Sequence, residues 1–362
     1  MKNENIIIIA IAVILIAGVA FFANDSLNHP TGNETVEDMV GRNVSIPSNP
    51  GKIVSTASPL TSLVYMIAPH KLAAVSASFK NDTKYVKSEY RELPAIGAWT
   101  GSKNNGNDEA LLNLSPSFIL TSPKVRNGSV VQSDLDLILN KFTTIPILAV
   151  PETANLTNLN KTYDFLGKVL HSEDSANKLK STLNKYLDLG KKNTEATKAN
   201  PKKVYYAQGE DGLTTSPPGS EHAQVLDIVG AKNVADVNLS AQTTKVNIEQ
   251  LLLWNPEVII TTNKNFFKDV YKTPSWENIY AVKNKQVFLA PDDPFNWFDM
   301  PPGSNMIIGI PWALKVIYPD QNKDLNLKNE VKSFYTDFFH FDIIDDDIKN
   351  ILNESAPNAN LV

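Results

Sequence analysis

The chain has 362 residues, 42% hydrophobic and 20% charged, which is the composition of about two folded domains of roughly 150 residues each and excludes a disordered chain. A net charge of −5, with Arg42, Arg91 and Arg126 as its three arginines, excludes a sequence-wide basic footprint for nucleic acid and supplies arginine poorly for any multiply charged anion. The absence of cysteine excludes disulfides, thiolate metal sites, cysteine-ligated iron–sulfur clusters, a cysteine nucleophile and a lipid carried on an N-terminal cysteine.

In chain order, Ile6 to Ala23 is an unbroken apolar run. At about 1.5 Å per residue a helix over it reaches roughly 27 Å, near the thickness of a hydrocarbon core. Cleavage after Ala23 would put Phe21 where a signal peptide wants a small residue. Residues 1–23 are therefore expected to stay as a membrane anchor, with a cleaved signal segment as the alternative. Either reading places the remainder on the extracytoplasmic face of the cell membrane, anchored or secreted. Sequons of the form N-x-S/T, from Asn24 to Asn353, agree with an exported chain. Residues 24–37 are polar and aperiodic, as a tether is.

Short apolar runs at 52–56, 72–76, 118–121 and 145–150 alternate with helical patterns and predict a first α/β lobe over 38–152. Similar runs at 203–207, 258–262 and 287–290 predict a second lobe over 193–362. The expected architecture is two Rossmann-like lobes with mainly parallel sheets. Between them, within 153–192, Leu156 to Leu189 keeps near-helical apolar spacing without proline. That spacing predicts one stiff connecting helix of about 50 Å and little motion on ligand binding.

The two halves share a repeat. Glu109, Leu111, Leu112, Pro116, Ile119 and Thr121 recur as Glu249, Leu251, Leu252, Pro256, Ile259 and Thr261, always 140 residues on. Each copy reads as a short amphipathic helix, a proline that stops it, and a buried strand.

Enzyme signatures are missing. There is no GxGxxG, Walker A run, GxSxG elbow or HExxH, and His29, His70, His171, His222 and His340 are not paired at metal-ligand spacing. No catalytic residue, resident metal or cofactor is expected. His222 reads as a helix-start residue behind Ser220 and Glu221, and Asp345–Asp347 as the acidic first turn of the last helix.

The segment Asp38 to Thr56 and the paired Glu…Leu…Pro…Ile motif resemble the periplasmic-binding-protein family that serves iron–siderophore, haem and cobalamin ABC importers. Trp276 to Leu289 is similar to that family's closing strand. Pro294 to Asn305, Gly309 to Trp312 and Tyr318 to Asp320 are similar to its branch for iron and other metal compounds. The resemblance spans about residues 38–320. It implies two lobes joined by one rigid helix, a shallow cleft between them, a monomer that captures rather than converts its ligand, and an ABC permease dimer as partner. It also implies that Glu109 and Glu249, which otherwise only favour their helix dipoles, pair with arginines on a two-fold transporter.

In open α/β sheets ligands sit beyond the carboxyl ends of the strands. That rule selects Ser58–Pro59–Leu60, Trp99, Thr100, Thr121, Ser122, Pro123, Lys124 and Arg126 from the first lobe. From the second it selects Tyr206, Gln208, Glu210, Thr262, Lys264, Phe266, Phe295, Asn296 and Trp297. The aromatics would cover the faces of a large chelate, and hydroxyls, amides and backbone N–H groups would hold its anionic oxygens. An iron chelate of siderophore or haem type is the leading ligand; the scarcity of arginine counts against a highly charged tri-catecholate and favours a hydroxamate or a small anion. The alternatives are a molybdate or tungstate oxyanion, a cobalamin or nickel chelate on the same scaffold, or an extracellular sensor domain.

Overall fold

The computed structural model describes residues 32–79, 83–99, 104–126, 128–237, 242–359 and 361. The anchor segment 1–23, the start of the tether and Thr100 lie outside the described residues.

Two separate parallel sheets form the lobes. In the first, the strand Ile119–Thr121 lies between Val54–Ser55 and Ile147–Ala149, with Ile119 in register with both Val54 and Ile147. The predicted strand at 72–76 is reduced to two isolated parallel bridges, Ile53 to Leu72 and Val75 to Ala95. In the second sheet the order is Lys232–Asn233, Lys203–Ala207, Val258–Thr261, Val287–Leu289. Ile119–Thr121 and Val258–Thr261 are buried throughout, as strands covered on both faces must be.

The repeat survives in backbone detail. Asn107 and Asn247 each cap a helix, Asp108–Asn113 and Ile248–Trp254, by accepting the N–H three residues on. Leu111 and Leu251 are the buried residue of each helix. Each helix is followed by a left-handed residue, Ser115 at φ 45° and Asn255 at φ 43°. The two copies then enter equivalent inner strands of different sheets.

The connector departs from the single helix predicted over 156–189. It breaks at His171, whose φ is 51°, into Asn160–Val169 and Glu173–Thr197. These two helices fold back as an antiparallel hairpin, with Lys180 Nζ 2.7 Å from Asp164 and Asn160 Nδ2 3.2 Å from Asn184 Oδ1. The hairpin closes tightly at Gly167, where a Cβ would stand 2.8 Å from that of Ala176. The apolar period runs through both helices, and neither proline nor a conspicuous turn residue marks the corner. The longer helix, at 25 residues about 37 Å, carries the crossing between lobes.

The C-terminal helices Gly309–Ile317, Leu327–Phe338 and Asp345–Ser355 return to the first lobe and the connector. The Tyr65 hydroxyl donates to Phe339 O at 2.8 Å, and the Tyr186 hydroxyl to Glu330 at 2.7 Å. Asp345 to Asp347 form the first turn of the last helix, where their charge favours the helix dipole. One apolar core therefore runs from Leu60 and Leu63 through Leu179 and Leu183 to Trp312 and Phe334.

Candidate functional site

Loops from the carboxyl ends of both sheets meet in a seam between the lobes. From the second lobe, the segment after Val287–Leu289 crosses over so that Gly303 packs against the first, where a Cβ would lie 3.0 Å from Thr153 O and 3.7 Å from Pro59. The Tyr163 hydroxyl meets Ser304 Oγ at 2.8 Å. Gln224 ties the second lobe to the start of the connector, accepting Leu156 N–H at 2.8 Å and donating to Ala154 O at 2.9 Å.

The chemistry concentrates on Asp299, which has no exposed surface. Its carboxylate accepts from the Tyr206 hydroxyl at 2.7 Å, from Gln208 Nε2 at 3.1 Å and from His222 Nδ1 at 2.6 Å. Tyr206 ends its strand beneath the site. Burial, helped by the Asp299 charge, pushes its phenol well above the usual range and keeps it a donor. The loop is shaped to present Asp299. Asn296 Oδ1 accepts the N–H groups of Phe298 and Asp299, and Asn305 Nδ2 donates to the carbonyls of Asn296 and Asp299.

His222 reaches solvent, with 19% of its side chain exposed, and Gln208 is half-buried as well. The Asp299 hydrogen bond raises its pKa; burial opposes this, and the charges of Asp299 and Glu221 reinforce it. Because a carboxylate only accepts, Nδ1 carries a proton, and Nε2 has no protein partner among the described residues. Desolvation, with Glu152 nearby, raises the Glu221 carboxyl as well. The second lobe thus offers an imidazole nitrogen with the Glu221 carboxylate beside it, and Glu152 of the first lobe faces that carboxylate. Among the described residues no arginine or lysine bonds to the Asp299 cluster.

The first lobe contributes a shelf of hydroxyls. Thr56 Oγ1 donates to Thr121 Oγ1 at 2.9 Å, Ser122 Oγ meets Thr153 Oγ1 at 3.2 Å, and Ser76 Oγ donates to Ser58 Oγ at 3.0 Å. Ser58 opens the helix Ser58–Ile67, whose N-terminus has no side-chain cap.

Several predicted contacts are corrected. Trp99 is a core residue of the first lobe: it is 2% exposed, its Nε1 donates to Asp108 at 2.6 Å, and its ring fills the space over Gly106. Trp297 is fully buried against Tyr335. Phe266 is buried beneath Gly212. None of these three turns a face to a chelate. Thr121 is buried with its hydroxyl engaged by Thr56, and Tyr206 and Gln208 act on Asp299 rather than on the cleft surface.

Of the remaining candidates, Ser122 and Thr262 are half-buried at strand ends, and Asn296 braces its own loop. Lys264 pairs with Asp292 at 3.2 Å, while Lys124, Arg126 and Glu210 are exposed. Arg126 lies on a small hairpin, Val125–Arg126 against Ser129–Val130. Phe295 joins Tyr65, Phe79 and Phe339 in an aromatic cluster. The helix-start reading of His222 is also corrected, since the helix Gln224–Ile228 begins two residues later and the ring turns to Asp299. Asp299, Asn305, Glu152 and Glu221 are additions to the expected set.

A cavity of about 440 Å³ lies at the opposite end of Ser58–Ile67 and is lined by His70, His171 and His340. Among the described residues no group of histidines and carboxylates is disposed to hold a metal ion, and no helix is long and apolar enough to cross a membrane.

Comparison with known proteins is consistent with this geometry. The sequence pattern of a periplasmic binding protein family matches residues 53–294. The molybdate-binding protein MolA of Haemophilus influenzae is 24% identical over 323 residues, covering 84% of this chain and 90% of MolA. The ABC transporter substrate-binding lipoprotein YvrC of Bacillus subtilis is 27% identical, covering 80% of this chain and 87% of YvrC. An ABC transporter solute binding protein from Sulfurospirillum deleyianum superposes with a TM-score of 0.78 at 31% identity, covering 88% of this chain and 98% of that one.

Proposed function

This chain belongs to the periplasmic binding protein family, and from that premise we propose that it captures an iron chelate of the hydroxamate class outside the cytoplasm and delivers it to an ABC importer. Its relatives are transport binding proteins rather than enzymes. The observation that carries the choice of ligand is the charge around His222. His222, held by Asp299, adjoins Glu221, whose carboxyl feels Glu152 of the first lobe, and among the described residues no arginine bonds to this group. Carboxylates beside the imidazole disfavour a free dianion and favour a neutral or cationic metal complex. The burial of Trp99 and Trp297 removes the flat aromatic walls that a haem would use, so a compact chelate fits better.

A second reading, molybdate, is favoured by the likeness to MolA over 84% of the chain, together with the half-buried hydroxyls of Ser58, Ser76 and Ser122 and the uncapped N-terminus of Ser58–Ile67. Isothermal titration calorimetry separates the two. The expected result is saturable one-to-one heat from a ferric hydroxamate and none from molybdate or tungstate, and the reverse pattern overturns the chelate reading. In the same scheme Glu109 and Glu249, both exposed on equivalent helices, dock on a permease pair, and residues 1–23 hold the chain at the membrane.

A further inference from the structure

The Asp299 cluster has an internal logic that reaches past the identity of the ligand. A neutral imidazole has one donor and one acceptor nitrogen, and its neighbours select which is which. At His222 the selection is made by a carboxylate that is itself clamped. Tyr206 and Gln208 donate to one oxygen of Asp299, which leaves the other to receive Nδ1 of His222. The backbone of Asp299 is held as well, by Asn296 Oδ1 at 2.9 Å and Asn305 Nδ2 at 3.0 Å. Five protein groups therefore fix one carboxylate residue, and that residue's outlet toward the cleft is the imidazole.

We infer that Asp299 is a positioning residue, which holds His222 in the Nδ1–H tautomer so that Nε2 meets the ligand as a hydrogen-bond acceptor. The inference rests on the reading that ligand occupies the seam between the lobes. It also specifies ligand chemistry. A partner suited to Nε2 presents a donor, such as the N–H of a metal-bound acetohydroxamate or a water bound to its metal. An oxyanion presents acceptors only and would not pair with this neutral tautomer; it would pair with Nε2–H of the imidazolium that Asp299 also stabilises, so the selection against an oxyanion operates above the His222 pKa.

The test begins on the wild-type chain with ¹⁵N-labelled histidine at pH 8. Long-range ¹H–¹⁵N correlation distinguishes the tautomers, and loss of one signal set in His222→Gln assigns the resonance. The expected spectrum shows Nδ1 protonated and Nε2 bare. Observation of the Nε2–H tautomer overturns the inference without any variant having to fold beyond the assignment. Asp299→Asn is expected to populate both tautomers and to weaken ferric tris(acetohydroxamate) binding about tenfold, the loss of one oriented hydrogen bond. In the His222→Gln background the same change should cost less than about twofold, because Asp299 acts through the imidazole. Full multiplication of the two losses would make Asp299 a general structural residue and refute the assignment. Should Asp299→Asn fail to fold, Tyr206→Phe with Gln208→Ala loosens the same carboxylate and should mix the tautomers; an unchanged pure Nδ1–H spectrum there contradicts the clamp. If the ferric probe does not bind the wild type, the chelate reading fails while the tautomer spectrum still decides the role of Asp299.

Discussion

Replacing His222 by alanine tests the cluster through folding stability rather than binding. The substitution deletes the shortest of the three hydrogen bonds that Asp299 accepts, at 2.6 Å, and leaves a fully buried carboxylate with Tyr206 and Gln208 alone. A hydrogen bond to a charged acceptor contributes about 1.5 to 3 kcal/mol. A loss of about 2 kcal/mol should lower Tm by roughly 3 °C in a chain of this size, at about 2.1 cal/mol/K of unfolding entropy per residue. The pH dependence has a definite sign. The Asp299 hydrogen bond raises the His222 pKa in the folded state, so the extra stability from the charged pair is fully present below the unfolded-state value of about 6.5. It is lost as pH rises through the folded-state pKa. The gap between wild type and variant should therefore be widest near pH 5.5 and narrow toward pH 8.5, where the neutral ring still donates through Nδ1. Urea unfolding followed by far-UV circular dichroism across that range measures it. Burial lowers the pKa values of His70 and His340, but both chains keep those residues, so the difference cancels them. A gap that is constant or grows with pH would refute the charge-assisted pairing.

Trp99→Phe removes the indole bond to Asp108 and should destabilise the first lobe by roughly 1 to 2 kcal/mol in a thermal melt while leaving ligand affinity within error; a lost affinity would return Trp99 to the cleft. Glu109→Ala/Glu249→Ala should abolish uptake in whole cells with calorimetric ligand affinity unchanged, and loss of ligand binding in that double variant would contradict the docking role. The helical hairpin and the C-terminal helices bonded to both it and the first lobe brace the lobes, so small-angle scattering should give the same radius with and without saturating ligand. A resolvable contraction would contradict that stiffness.

The fold was legible in the sequence because its signals are local and duplicated. Leu111 and Leu251, the prolines that follow them and the apolar strands each follow from periodicity within a few residues, and the 140-residue offset says they occur twice. The corner at His171 was not legible, because the apolar spacing of Asn160–Val169 continues into Glu173–Thr197 and a left-handed histidine leaves no compositional mark. Trp99 and Trp297 stand at strand ends in loops, where a large aromatic side chain is equally able to face a ligand or seal the core. Burial resolved both toward the core.

The site itself lies on the side of the problem that sequence patterns cannot reach. His222 and Asp299 are 77 residues apart, in loops that follow different strands, and each alone has an ordinary explanation as a helix-start residue or a loop acid. What makes them a site is that Tyr206 and Gln208, placed by the end of Lys203–Ala207, hold one oxygen of Asp299 while His222 meets the other. Such a cluster is costly to bury unless every polar atom is satisfied, and the Asp299 carboxylate is satisfied by three side chains drawn from two separate segments. Among the described residues Nε2 of His222 has no partner, so the ligand's donor pattern at one atom, more than its overall size, is what this second lobe is built to read.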